Sequence, residues 1–101
     1  MGMAEASVTV RNPSGLHARP AATFVTEAAG FAAHLTVTNL TRDPERAANA
    51  KSILGVLGIG AVRGHEIRIT ADGDDAEEAL RALTQLVESG LGETIIEGDT
   101  P

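Results

Sequence analysis

The sequence predicts an α+β fold in which a four-stranded antiparallel sheet carries three helices on one face and leaves its other face open to water. Three segments alternate apolar and polar residues with the period of a half-buried strand, and a fourth, shorter segment fits a strand less distinctly. Two segments place their apolar residues along one face of a helix, and a third begins at a capping serine. The predicted order is βαββαβα.

The first strand is predicted over residues 6–11 and the first helix over residues 18–29. Pro20 falls in the first turn of this helix, where its missing N–H does little harm, and Gly30 follows as the C-cap. The helix has an apolar stripe with Phe24 at its edge. The stripe consists of Ala18, Ala21, Ala22, Val25, Ala28 and Ala29.

The middle of the chain is predicted to hold three strands and one short helix. The ranges are 33–38 for the second strand, 39–45 for a loop, 46–49 for the third strand, 53–57 for the helix and 65–70 for the fourth strand. Ser52 fits the N-cap of the helix, and Gly58 and Gly60 end it.

The last helix is the most distinct element, because six apolar residues form one stripe along it. They are Ala76, Ala79, Leu80, Leu83, Leu86 and Val87. Residues 72–74 supply the preceding turn and cap, and Gly90 and Leu91 close the helix like a Schellman motif. Residues 94–101 are expected to form a mobile tail.

Composition limits the class of protein. The 101 residues suffice for one domain, and an aromatic content of 2% requires a core of Ala, Val, Leu and Ile. No cysteine is present, which excludes disulfides and thiolate metal sites. The net charge of −6 disfavours nucleic acid as a partner. No signal peptide or membrane span is found, so a soluble, cytoplasmic protein without membrane insertion is expected.

Residues 12–21 join the first strand to the first helix and place the imidazole of His17 at the junction. The first N–H groups of a helix lack internal partners and the dipole is positive there, so this end attracts phosphate. Gly15 permits a close approach of the backbone, and Arg19 offers a planar fork of donors to an anion. His17 is therefore a candidate phosphoryl acceptor, with the backbone at Gly15 and Ala18 completing the site. A histidine that merely decorates the helix start is the alternative.

A second group of candidates surrounds the short helix. Ser52 fits an N-cap, which stabilises a helix by about 1 kcal/mol, and equally a phosphorylation site, because the dipole favours a phosphate there. The helix has more apolar residues than one sheet can bury, so some are expected to form an exposed partner surface unless neighbouring helices cover them. These residues are Ile53, Leu54, Val56 and Leu57.

The remaining histidines, His34 and His65, have no acidic or histidine partner at a ligand-like spacing, so neither a metal site nor a cofactor is expected. Ser14 and His17 lack the orienting acid and oxyanion elbow of a serine hydrolase.

Two segments resemble the histidine-containing phosphocarrier (HPr) family of the phosphoenolpyruvate-dependent sugar phosphotransferase system. They are Gly15-Leu16-His17-Ala18-Arg19-Pro20-Ala21 and Asn49-Ala50-Lys51-Ser52-Ile53-Leu54-Gly55-Val56-Leu57, supported by Gly64-His65-Glu66-Ile67 and Gly90-Leu91-Gly92-Glu93. The resemblance covers about residues 5–93. It implies an open-faced β-sandwich and an HPr-like domain over residues 1–93, followed by the tail.

The resemblance also implies a function. His17 would accept a phosphoryl group from phosphorylated enzyme I and pass it to an enzyme IIA, with Arg19 steadying the phosphoryl oxygens. The protein would be a carrier rather than an independent enzyme. Ser52 would correspond to a serine that a dedicated kinase and phosphatase regulate, and Ile53, Leu54 and Leu57 would belong to the docking surface.

The first helix carries no basic residue after Arg19, whereas many members place basic residues there to meet acidic partners. Arg19, Lys51 and Arg63 are expected to supply part of that charge. A monomer is expected for a small carrier with transient partners.

Two other classes of function remain open. A regulatory module could act through phosphorylated Ser52 without carrying a phosphoryl group, but the presence of both His17 and Arg19 favours the carrier. A ferredoxin-like domain that binds a small molecule or RNA is the second, and the near absence of aromatic residues argues against stacking on RNA.

Overall fold

A computed structural model describes residues 3–95 and contains the predicted order of elements. The strands are β1 (Met3–Thr9), β2 (His34–Asn39), β3 (Ala47–Asn49) and β4 (Glu66–Asp72), and the helices are α1 (Ala18–Ala29), α2 (Ile53–Gly58) and α3 (Ala76–Glu88). The strands form one antiparallel sheet in the order β1-β4-β2-β3. The predicted four-stranded antiparallel sheet and three helices are confirmed.

Alternation along the two central strands divides the sheet into a buried and an open face. Val37 pairs with Ile69 in register, and both side chains are fully buried. The next pair along, Thr36 and Thr70, points to the opposite face, where the two hydroxyl groups are hydrogen-bonded. One face therefore holds the apolar core and the other a polar surface, as the period of two predicts.

Helix α1 has the predicted bounds, but the predicted position of Phe24 is wrong. Phe24 is fully buried with Ala21 and Ala28 rather than at the edge of the stripe, whereas Ala22 and Ala29 are exposed. The largest apolar side chain of the helix gains most from burial, so it sets which face meets the core. Small alanines at the margin lose little by exposure.

The strand ends differ from the prediction because pairing partners decide where a ladder stops. β1 begins at Met3 rather than residue 6, since Met3 pairs with Asp72 at the far end of β4. β2 extends to Asn39, which was predicted as loop. Asn39 is buried, and its Oδ1 accepts hydrogen bonds from the N–H groups of Thr41 and Arg42, so it builds the following turn.

The start of α3 differs from the predicted cap at residues 72–74. Asp75 occupies the N-cap position, but its carboxylate accepts hydrogen bonds from the N–H groups of Ala32 and Ala33, each 2.8 Å away. This carboxylate therefore ties α3 to the connection between α1 and β2. The sequence pattern could not reveal that contact, because it joins residues more than forty positions apart.

The end of α3 is the predicted Schellman motif. The N–H of Leu91 donates to the carbonyl of Leu86 (3.0 Å), and the N–H of Gly90 donates to that of Val87 (3.1 Å). The chain then reaches Glu93, which lies beside the start of α1, as described below. Of the predicted tail, residues 96–101 lie outside the described part. Within residues 3–95, each helix is too short or too polar to cross a bilayer.

Candidate functional site

His17 occupies the N-cap position of α1 with an extended backbone (φ −140°, ψ 152°). Its exposed side chain makes no capping hydrogen bond, and the first turn of the helix contains no acidic residue. Within the twelve-residue helix itself, no acidic side chain offsets the positive end of the dipole. An anion attached to the imidazole would lie beside that end.

The backbone after His17 provides donors for such an anion. Pro20 has no N–H, so the N–H groups of Ala18 and Arg19 are those that helix geometry leaves without an internal partner. Ala18 adopts φ +49°, a left-handed conformation that costs a non-glycine residue about 1–2 kcal/mol. The strain is concentrated at the residue that follows the imidazole.

The turn before His17 lies tightly against the segment that follows α2. Gly15 adopts φ +64°, and a Cβ atom on it would lie 2.5 Å from the carbonyl oxygen of Ala61 and 2.8 Å from the Cα of Val62. The N–H of Leu16 donates to the same Ala61 carbonyl at 2.9 Å, and the Leu16 side chain is buried. Only glycine fits there, because of a close approach to another part of the backbone rather than to an anion.

Glu93 is the residue near this site that sequence reasoning missed. One carboxylate oxygen accepts hydrogen bonds from Asn12 Nδ2 (2.9 Å) and from the Ser14 N–H (3.0 Å), and the other accepts from the Ser14 hydroxyl (2.8 Å). Its place in the family-like segment Gly90-Leu91-Gly92-Glu93 was visible, but about eighty residues separate it from its partners.

These contacts lower the pKa of the Glu93 carboxyl below its ordinary value of 4.5. The main cause is the hydrogen bond from Asn12, followed by the two from Ser14; partial desolvation opposes them, and the positive charge of Arg19 adds to the lowering. Each hydrogen bond favours the ionised carboxylate. The carboxylate therefore remains charged, and accepts these bonds, throughout the neutral range.

An NMR titration of the Glu93 carboxyl carbon is expected to give a pKa below 4.5. Because the folded-state pKa is lowered, the stabilisation is present at neutral pH and is lost as the pH falls through that lowered pKa. Ser14→Ala removes one donor and is expected to move the pKa part of the way back. A wild-type pKa at or above 4.5 would contradict the hydrogen-bonding described.

The second group of candidate residues lies at and beside α2. Ser52 is the N-cap, and its Oγ accepts a hydrogen bond from the Gly55 N–H at 3.0 Å. Ile53 and Leu54 are 40% and 79% exposed, which confirms the expected exposed apolar surface. Leu57 instead packs against the core and is half-buried. Helix α2 packs against α1, the helix whose N-cap is His17.

Lys51 is less available than its sequence position suggests. Its Nζ donates a hydrogen bond to the carbonyl of Phe31, 2.6 Å away, beyond the C-terminal end of α1. The ammonium group is therefore held by a hydrogen bond within the protein, so it is less free to form an ion pair with a partner.

The other two histidines are not part of the His17 site. His34 is exposed at the start of β2. His65 Nδ1 lies 3.0 Å from Asn39 Nδ2 and 3.3 Å from the Val62 N–H, two donors that require this nitrogen to be an acceptor. Within residues 3–95, no group of three histidine, cysteine or carboxylate residues could hold a metal ion.

Comparison with protein families gives one model match that spans most of the chain. The PTS-HPr model, described as the PTS HPr component phosphorylation site, matches residues 4–89. The chain is 44% identical over 91 residues to the phosphocarrier protein HPr of Streptomyces coelicolor, which covers 90% of this chain and 95% of that protein.

Two further similarities concern length and fold. The multiphosphoryl transfer protein of Haemophilus influenzae is 39% identical over 94 residues, which cover 93% of this chain but only 19% of that protein. The chain thus spans about a fifth of the multiphosphoryl transfer proteins that it matches. The crystal structure of HPr-C-His from Thermoanaerobacter tengcongensis superposes with a TM-score of 0.83 at 40% identity, covering 91% of this chain and 99% of that one.

Proposed function

Since the chain belongs to the HPr family of phosphocarriers of the phosphotransferase system, we propose that it carries a phosphoryl group on the imidazole of His17. The observation that carries this proposal is the exposed imidazole at the N-cap of α1, where an anion on the ring would lie beside the positive end of the helix. Arg19 supplies a second positive charge within the first turn.

The proposed reaction is a reversible transfer between two proteins. A lone pair on a nitrogen of the neutral His17 ring attacks the phosphorus atom carried by the donor, the nitrogen–phosphorus bond forms, and the bond to the donor breaks. The guanidinium of Arg19 and the backbone at Ala18 steady the phosphoryl oxygens. The Gly15 N–H instead donates to the Asn12 carbonyl and shapes the turn. The reverse step delivers the group to an acceptor, so the protein is a carrier rather than an independent enzyme.

We propose phosphorylated enzyme I as the donor and an enzyme IIA as the acceptor. The exposed side chains of Ile53 and Leu54 offer an apolar contact surface beside α1, with Leu57 supporting it from the core and Lys51 contributing at its edge. We further propose that the protein is a cytoplasmic monomer. The domain would comprise residues 1–93, with residues 94–101 as a tail.

The proposal is tested by incubating the protein with phosphoenolpyruvate and an enzyme I and mapping the label by mass spectrometry under neutral conditions. One acid-labile phosphoryl group is expected on the peptide that contains His17. His34 and His65 are internal controls and should remain unmodified. A label on either of those peptides, or none on the His17 peptide with an enzyme I that labels another HPr, would refute the proposal.

Ser52 is proposed as a regulatory phosphorylation site for a serine kinase and phosphatase. Ser52→Asp keeps an oxygen that can accept from Gly55 N–H, so its stability should stay near wild type, while its negative charge should slow labelling of His17. Ser52→Ala is the matched variant: it should lose about 1 kcal/mol of stability and label at the wild-type rate. Urea unfolding and initial labelling rates measure the two effects. Equal labelling of both variants would argue against regulation at Ser52.

The regulatory module without carrier activity is not favoured, because the relatives include phosphocarrier proteins that match nearly the full chain.

A further inference from the structure

We propose that Glu93 is a positioning residue for phosphoryl transfer at His17, because its carboxylate fastens the turn that leads into His17 to the end of α3. The inference rests on the proposed function, which supplies the reaction, and adds a residue to which that function assigns no part.

The turn at residues 12–15 is closed by two internal hydrogen bonds. The Gly15 N–H donates to the Asn12 carbonyl at 3.2 Å, and Asn12 Nδ2 donates back to the Gly15 carbonyl at 3.0 Å. Glu93 adds three bonds from outside the turn, at 2.8–3.0 Å, to Asn12 and Ser14. The carboxylate thereby holds the turn at the side chain of Asn12 and at both the backbone N–H and the hydroxyl of Ser14.

The hydrogen bond between Glu93 and Asn12 matters for the turn because the Asn12 side chain is buried away from water. Asn12 is fully buried, and its Oδ1 has no hydrogen-bond partner among the described residues. Both hydrogens of its amide nitrogen are used, one by the Gly15 carbonyl and one by Glu93. Without the carboxylate, one N–H of the buried Asn12 amide would have no hydrogen-bond partner. Because an unsatisfied buried donor is costly, the turn is expected to shift until that N–H finds another acceptor.

Glu93 is itself held in place. Its N–H donates to the carbonyl of Gly90 at 2.8 Å, and Gly90 adopts φ +100° in the motif that ends α3. Two anchors therefore fix the segment before His17: Glu93 on one side, and on the other the Ala61 carbonyl, which accepts from the Leu16 N–H. Only Leu16 separates the turn from the imidazole.

Phosphoryl transfer depends on placing the attacking nitrogen in line with the phosphorus atom, and a displacement of about 1 Å can slow such a step on the order of a hundredfold. Loss of one anchor should displace the imidazole while leaving the docking surface on α2 intact. The kcat of phosphoryl transfer should then fall, whereas the KM for this protein as the substrate of enzyme I should stay the same.

The test measures kcat and KM for phosphorylation by phosphoenolpyruvate and enzyme I, with each variant shown to be folded by circular dichroism. Glu93→Ala should lower kcat on the order of tenfold with KM unchanged. Glu93→Gln retains a carbonyl oxygen for Asn12 and Ser14 and should recover most of the rate. Glu5→Gln, at an exposed position of β1, removes the same charge elsewhere and should match wild type.

An unchanged kcat in Glu93→Ala, a change confined to KM, or a Glu93→Gln variant as slow as Glu93→Ala would each overturn the positioning role. Wild-type protein labelled on His17 separates these outcomes from failure of the proposed function. If the wild-type protein takes no label on His17, the proposed function fails and the positioning role falls with it.

Discussion

Replacement of His17 by alanine is expected to reduce labelling from phosphoenolpyruvate and enzyme I to background. The imidazole stands at the N-cap of α1, and alanine has no nitrogen to accept the phosphoryl group. The side chain is exposed and makes no capping hydrogen bond, so its removal should leave the fold intact. Labelling and thermal unfolding, measured on the same preparation, separate loss of the acceptor from loss of the fold.

His34→Ala is the matched control, because it removes an exposed imidazole from the start of β2. It should be labelled at the wild-type rate. A label that persists in His17→Ala, or one that His34→Ala also loses, would show that another group accepts the phosphoryl.

Helix α1 shows what local sequence determines. The change from a period of two to a helical period, the proline in its first turn and Gly30 after it gave both ends of the helix correctly. These signals act between residues close in sequence, where propensity and capping operate. The same signals did not find the centre of its buried face, because that depends on which residue the rest of the core accommodates best, and Phe24 takes that place.

Strand ends were less predictable because a strand continues as far as its neighbour pairs with it. Met3 joins β1 because it pairs with Asp72 at the end of β4, a contact between residues far apart in sequence. Asn39 was assigned to a loop for its polarity, yet its amide is buried where it organises the turn and meets His65. Its bonds within the turn are local, but its bond to His65 joins residues 26 positions apart and has no local signature.

The candidate site divides in the same way. The imidazole, the glycine before it and the capping serine of α2 stand in patterns of adjacent residues, so the sequence alone located them. Glu93 joins the site through bonds to Asn12 and Ser14 that only the folded chain brings together. Lys51 was expected to supply positive charge to a partner, and its bond to the Phe31 carbonyl depends on how α1 packs against its neighbours.

Gly15→Ala is expected to destabilise the protein more than Gly64→Ala, a change at a glycine with positive φ and open space around it. The left-handed backbone costs about 1–2 kcal/mol and overpacking about 1–3 kcal/mol, so a loss of about 2–5 kcal/mol is expected. The second contribution arises because the new Cβ would lie 2.5 Å from a backbone oxygen, that of Ala61, which cannot rotate away as a side chain would. Urea unfolding of the variant and the wild type measures the difference.

Gly64→Ala isolates the conformational part of this cost. Gly64 adopts φ +94°, and a Cβ there would meet no atom within 4 Å. It should therefore lose only the contribution of the left-handed backbone, and Gly15→Ala should exceed it by the steric contribution. Equal losses would mean that the segment at residues 61–62 yields to the added methyl group. In that case the Ala61 carbonyl would not be a fixed anchor for Leu16, and the imidazole of His17 would owe its position to the Glu93 side of the turn alone.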